Sequence, residues 1–251
     1  MVEGRSGFEY FPEDNSYIWE MAQFFPRMCR YDDLVGWQNR PFYGQAEFAP
    51  DFGNFEVSIT VPDNHLVAAT GELQNPEEVL GKKIQKRLAD LSEEVRFVVD
   101  PEEASKNISR TSIKEKTWRF RAENVRDFAF ASSKKFIWDA SVTEQEGREI
   151  VVQSFYPAEG MPLWDRFATR TARLTLDTYT YITGIPYPYP QVTVVHGPVW
   201  GMEYPMVAFC GGRPETKVYY SRGMKYRMIG VVIHEVGHNY FPMIVNSDER
   251  Q

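Results

Sequence analysis

The sequence predicts an α+β protein in two parts, a mostly β part over residues 1–155 and a mixed α and β part over residues 156–251. Three observations carry this. Short β-prone runs recur between residues 55 and 155. The pattern breaks at Tyr156-Pro157. Helical periodicity then appears over residues 162–183 and again from about Met224.

The elements follow in order. Residues 8–44 are aromatic, irregular and rich in turn formers, and no strand is assigned there. In residues 55–61 apolar Phe55, Val57, Ile59 and Val61 alternate with Glu56, Ser58 and Thr60, and Pro62-Asp63-Asn64 closes the run. That alternation predicts a half-buried antiparallel strand. Residues 65–70 supply the next one, with a bend at Gly71. Over residues 77–91, Leu80, Ile84, Leu88 and Leu91 recur at helical spacing, while Lys82, Lys83, Lys86 and Arg87 lie off the stripe. One amphipathic helix inserted among strands is expected, with a solvated charged face. Strands return over residues 95–99, 117–122, 128–131, 136–142 and 149–155, with a hairpin turn at Glu146-Gly147. Residues 40–155 thus read as two packed sheets.

In the second part a helix over residues 162–183 turns Leu163, Phe167, Leu174 and Ile182 toward one face and stops at Gly184 and Pro186. Strands are expected at 191–195, 206–209 and 217–220. A second helix starts near Met224 and runs through residue 238. Its apolar run over residues 228–233 predicts that it is buried.

Composition narrows the function classes. With 251 residues, 43% hydrophobic and 25% charged, the chain has globular values. Its 15% aromatic content fits packed layers or a groove that holds peptides. A net charge of −7 argues against nucleic acid and for a solvated acidic surface. Cys29 and Cys210 form neither a disulfide framework nor a zinc-ligand pair, and both are expected to be buried thiols. No run approaches the ~20 apolar residues of a membrane span. The first residues lack the apolar core of a signal peptide.

The chemistry is concentrated in His234-Glu235-Val236-Gly237-His238. Residues four apart stack on one helix face, so His234 and His238 can present two imidazoles to one metal ion. Glu235 points about a quarter turn away and can reach a water on that metal. Hence this spacing on a helix means zinc with a general base. A third protein ligand is needed. The metzincin pattern is excluded, because Phe241 and Ile244 stand where it requires Gly and His. Asp248 and Glu249 are the only acids after His238, and a ligand there would need an unusual turn.

Upstream, Trp200-Gly201-Met202-Glu203-Tyr204 resembles the GxMEN motif of the gluzincin aminopeptidases, the family of alanyl aminopeptidase and leukotriene hydrolase. Tyr31-Asp32-Asp33, Gly36-Trp37, the region from Glu47 to Val61 with Phe52-Gly53, and Ala68-Ala69-Thr70-Gly71 resemble the later part of that family's N-terminal β domain. Asn124-Val125-Arg126-Asp127-Phe128-Ala129 resembles its last strands. The resemblance covers most of the chain and keeps motif order.

It implies the C-terminal part of a β-sandwich domain followed by the N-terminal part of a thermolysin-like α+β catalytic domain. It also implies one zinc ion on His234 and His238, and Glu235 as the base. Glu203 would bind the free α-amino group of a peptide, with Gly201 and Met202 beside it. Trp200 replaces the motif's first Gly, and Tyr204 stands where many relatives have Asn.

The family's third ligand would fall near position 257 and its catalytic Tyr later still. The expectation is therefore a fragment, lacking both ends, of a longer zinc-dependent metallo-aminopeptidase that removes N-terminal residues from peptides; this stretch alone is expected to be nearly inactive, with its zinc weak or missing. The alternatives are a scaffold or binding module without catalysis, and an epoxide-opening hydrolase of the same family. The resemblance allows an extracytoplasmic location. The residues fix neither the compartment nor the preferred N-terminal residue.

Overall fold

The computed structural model describes residues 5–39 and 50–245, and within them the chain is a mixed α and β structure. The strands are β1 (Gly7–Phe11), β2 (Ser16–Met21), β3 (Tyr31–Asp32), β4 (Gly36–Trp37), β5 (Gly53–Pro62), β6 (Leu66–Ala69), β7 (Glu72–Leu73), β8 (Arg96–Val99), β9 (Glu115–Val125), β10 (Phe130–Ser133), β11 (Ile137–Gln145), β12 (Arg148–Tyr156), β13 (Gln191–His196), β14 (Gly201–Tyr204) and β15 (Val207–Cys210). The helices are α1 (Pro76–Val79), α2 (Lys82–Ala89), α3 (Pro101–Ser109), α4 (Trp164–Thr183) and α5 (Arg222–Gly237). A six-stranded sheet runs β14-β15-β13-β12-β11-β8 and a four-stranded one β1-β2-β10-β6. The remaining strands form β5-β9-β7 and the β3-β4 pair.

The division expected at 155 does not separate the sheets. β11 and β12 lie inside the six-stranded sheet, and β12 pairs in parallel with β13, Val151 opposite Gln191 through Phe155 opposite Val195. Strands 40–155 are also spread over three larger sheets rather than two. Tyr156-Pro157 ends a strand and not a structural unit. A strand buried on both faces reads as a continuous β-prone run, and such a run carries no sign of which sheet it joins.

The hairpin of β1 and β2 lies in the segment expected to be irregular. On β2 the inward residues are Ser16, Ile18 and Glu20, while the aromatic rings of Tyr17 and Trp19 stack outside with Phe8 and Tyr10. Polar residues inside and aromatics outside invert the usual alternation and hide the strand.

The helix expected over 77–91 is two short helices. Leu80 leaves the first in an extended conformation, and Gly81 begins the second. α3 was not expected, although Asp100-Pro101-Glu102-Glu103 forms a complete capping box with Pro in the first turn. The strand expected at 217–220 is absent among the described residues, which show only a bridge between Thr216 and Tyr219. Glu146 and Gly147 both take positive φ and close the β11–β12 hairpin as expected. Cys210 is buried, but Cys29 is only half-buried.

α4 packs on β11 and β12 and against α5. Its buried side is Trp164, Ala168, Ala172 and Leu176, whereas Leu174 and Ile182, expected inside, are exposed. Gly184 ends it in the left-handed conformation, with φ 68°.

Beneath α4 lies Asp139, whose carboxylate accepts hydrogen bonds from Tyr156 Oη at 2.5 Å and from the Thr169 hydroxyl. Burial pushes its carboxyl up to about 7, against the lowering effect of those bonds. Between the ordinary Asp range and that value, the folded protein holds a proton that the unfolded chain releases. Its contribution to stability is therefore full at low pH and is lost as pH rises from about 4 to about 7. Asp139→Asn should flatten the urea-measured unfolding free energy across that interval by at most about 4 kcal/mol. An unchanged slope would show that Asp139 titrates normally.

Candidate metal and peptide site

α5 begins at Ser221, whose hydroxyl accepts the Met224 N–H at 3.0 Å. Met228, Val232 and Val236 are buried along one side, while Ile233 and His234 face outward. The helix expected to be buried is thus buried on one face only, and this leaves the histidines reachable.

The Nε2 atoms of His234 and His238 face each other 3.0 Å apart, so the i, i+4 pair converges as the sequence predicts. Facing nitrogens of this kind are the atoms that would hold a zinc ion. Beyond Gly237 the chain widens into a π-helical turn over Asn239–Ile244, broken at Phe241 with φ −148° and ψ 116°. That break brings the Phe241 carbonyl to 2.9 Å from His238 Nδ1. A carbonyl only accepts, so Nδ1 holds the proton and Nε2 keeps its lone pair for a metal. Burial, and then the neighbouring His238, push the His234 imidazole below its ordinary value, which favours the neutral, ligating form.

The second element of the site is β14, the edge strand of the six-stranded sheet, which packs against α5. It pairs with β15 through a two-residue turn, Pro205-Met206, with Met206 at φ 67°. A side chain at residue 201 would overlap the Glu235 carboxylate, so glycine there lets the strand backbone lie directly against the base. Glu203, two residues on, faces the same side, because strand residues alternate. One ligand atom each from Glu203, Glu235 and His238 lie within 4.8 Å of one another. The same alternation sends Met202 to the opposite face, where it is part of the hydrophobic core. Met202, expected beside Glu203 at the substrate, is packed in that core.

Glu203 and Glu235 are both 6% exposed. Two carboxylates this close and this buried repel when both are ionised, and a cation beside them relieves that repulsion. Imidazole and carboxylate together form a zinc-type donor set, so the residues fit the implied metal. A second acidic cluster, Glu13, Asp14 and Glu159, is bridged by the ammonium of Lys135, which occupies its centre in place of a metal. Asp248 and Glu249, weighed above as a third ligand, lie outside the described residues.

Two positioning residues were not anticipated. Asn239, fully buried beside His238, accepts the Met206 N–H at 2.9 Å and so ties the β14–β15 turn to the end of α5. A buried amide directly after the second His was its only sequence signal. Arg126 donates to the Pro242 carbonyl at 2.7 Å and the Pro50 carbonyl at 3.1 Å, linking the end of β9 to the turn that orients His238. Gly237 admits the Tyr179 hydroxyl of α4 at a point where any side chain would collide.

No family model and no curated protein matches this sequence.

Proposed function

We propose that this chain carries the metal ligands, general base and amine anchor of a zinc-dependent aminopeptidase. The observation that supports this most is the approach of Glu203 to Glu235 and His238 from a separate strand. HExxH spacing alone brings two imidazoles and one carboxylate together. It does not bring a second buried carboxylate to the same point.

His234 and His238 would hold a zinc ion, which would supply the Lewis acidity for a peptide carbonyl and for water. Glu235 takes the proton of the attacking water and delivers it to the departing amine nitrogen. Glu203 holds the peptide's terminal ammonium by charge-assisted hydrogen bonds. Its distance from Glu235 sets the register, so that only the first peptide bond reaches the base. Among the described residues β14 is the outermost strand of its sheet, and such a strand can pair with an extended peptide backbone. The resemblance of the sequence to gluzincin aminopeptidases, and the thermolysin-like arrangement it implies, agree with these roles.

A second reading is favoured by the same closeness, namely that Glu203 is itself a metal ligand. Glu203→Gln separates the two. If Glu203 anchors the amine, KM for a leucyl-anilide should rise about 10- to 100-fold, the loss of a charged hydrogen bond. Preference for free over N-acetylated peptides should vanish, with zinc affinity unchanged. If Glu203 is a ligand, zinc affinity falls and the preference persists. A variant with wild-type KM and wild-type zinc affinity would remove Glu203 from the site.

A further inference from the structure

We infer that Glu20, on the N-terminal hairpin, is a positioning residue for the strand that carries Gly201 and Glu203. What that strand does rests on the aminopeptidase reading, but how it is held does not.

Glu20 points inward from β2 and is wholly buried. Its Oε2 accepts the N–H of Val199 at 2.8 Å, two residues before Gly201. The slot exists because residue 197 is glycine, where a Cβ would overlap the Glu20 carboxylate. On the neighbouring strand, the backbone of Gly7 closes over Pro198 and Val199, with its Cβ direction 3.2 Å from Pro198 Cγ. The far end of β14 is held as well. Tyr204 Oη donates to the Arg5 carbonyl at 3.3 Å, and Thr70 Oγ1 donates to the Pro205 carbonyl at 2.8 Å. Arg213, just past β15, is clamped by both oxygens of Glu9 on β1 at 2.7 and 2.5 Å.

Elements far away in sequence thus grip residues 197–205 on both sides of the candidate anchor. Cys210, fully buried, lies opposite Gly201 on β15. A buried carboxyl is a costly way to fill space, since an apolar side chain of similar volume fills it with less desolvation. What Glu20 adds is the fixed location of the Val199 N–H, and through it the approach of Gly201 to Glu235.

Hydrogen exchange and steady-state kinetics test this together. Glu20→Ala should lower protection of the Val199 amide and of residues 201–204 about 10- to 100-fold, leaving α5 protected. KM for a free-amine substrate should rise about 10-fold while zinc affinity stays within about twofold. Glu20→Gln keeps an uncharged acceptor for Val199 and should restore both. Gly197→Ala, which displaces the same carboxylate from the other side, should reproduce the alanine pattern. Unchanged protection at 199–204, or a loss spread evenly over all elements, overturns the positioning role. Should the full-length, zinc-loaded protein turn over no aminoacyl substrate, the aminopeptidase reading fails, while the exchange pattern still decides the role of Glu20.

Discussion

In the full-length, zinc-loaded protein, replacing Glu235 by Gln should lower kcat for an aminoacyl-anilide by about 1,000-fold while zinc remains bound. General-base catalysis contributes about 100- to 10,000-fold, and glutamine keeps the size of the side chain without its proton affinity. The surroundings make the upper part of that range reasonable. Glu235 is 6% exposed and lies against the backbone at Gly201. Water therefore has little room to replace the lost carboxylate. KM should change little, because the proposed amine contact lies at Glu203 and not at Glu235. A Glu235→Gln variant that retains more than about a tenth of the wild-type kcat would show that another group takes the proton.

His234→Ala and His238→Ala should each reduce zinc affinity by at least about 100-fold, measured by competition with a chromogenic chelator. Structural zinc sites gain about 10–16 kcal/mol from all their ligands, so one ligand in four is worth roughly 3 kcal/mol or more. The two variants should differ in a second respect. His238 Nδ1 binds the Phe241 carbonyl and helps hold the turn after α5. His234 is exposed. His238→Ala should therefore also lower the melting temperature of the metal-free protein, and His234→Ala should not. Equal melting temperatures would mean that the Phe241 contact does not hold the turn.

What was legible in the sequence follows from the range over which each signal acts. His234, Glu235 and His238 could be read because a helix of known pitch fixes residues four apart, and the structure brings the imidazoles together. Glu203 could be singled out only by resemblance, because no local rule links a strand residue to a helix thirty positions away. Glu20 could not be read at all. Its partner Val199 is 179 residues distant, and a carboxylate on an inward strand position looks like a broken pattern. The same inversion hid the β1–β2 hairpin. The α+β class was legible from periodicity, yet the expected break at Tyr156 fell inside a sheet, because a parallel pair such as β12 and β13 joins strands separated by a whole helix. α4 shows the limit of periodicity from another side. Leu174 and Ile182 look like core residues but are exposed, and small Ala168 and Ala172 do the packing.

The central claim is that one zinc ion sits between the imidazoles of His234 and His238. Zinc-edge X-ray absorption on the protein loaded with one equivalent of zinc tests this directly. The expected spectrum shows two imidazole nitrogens at about 2.0–2.1 Å, with the remaining positions filled by oxygen. It should lose an imidazole in either histidine variant. A sulfur ligand, fewer than two imidazoles, or a spectrum that neither variant alters would contradict the account.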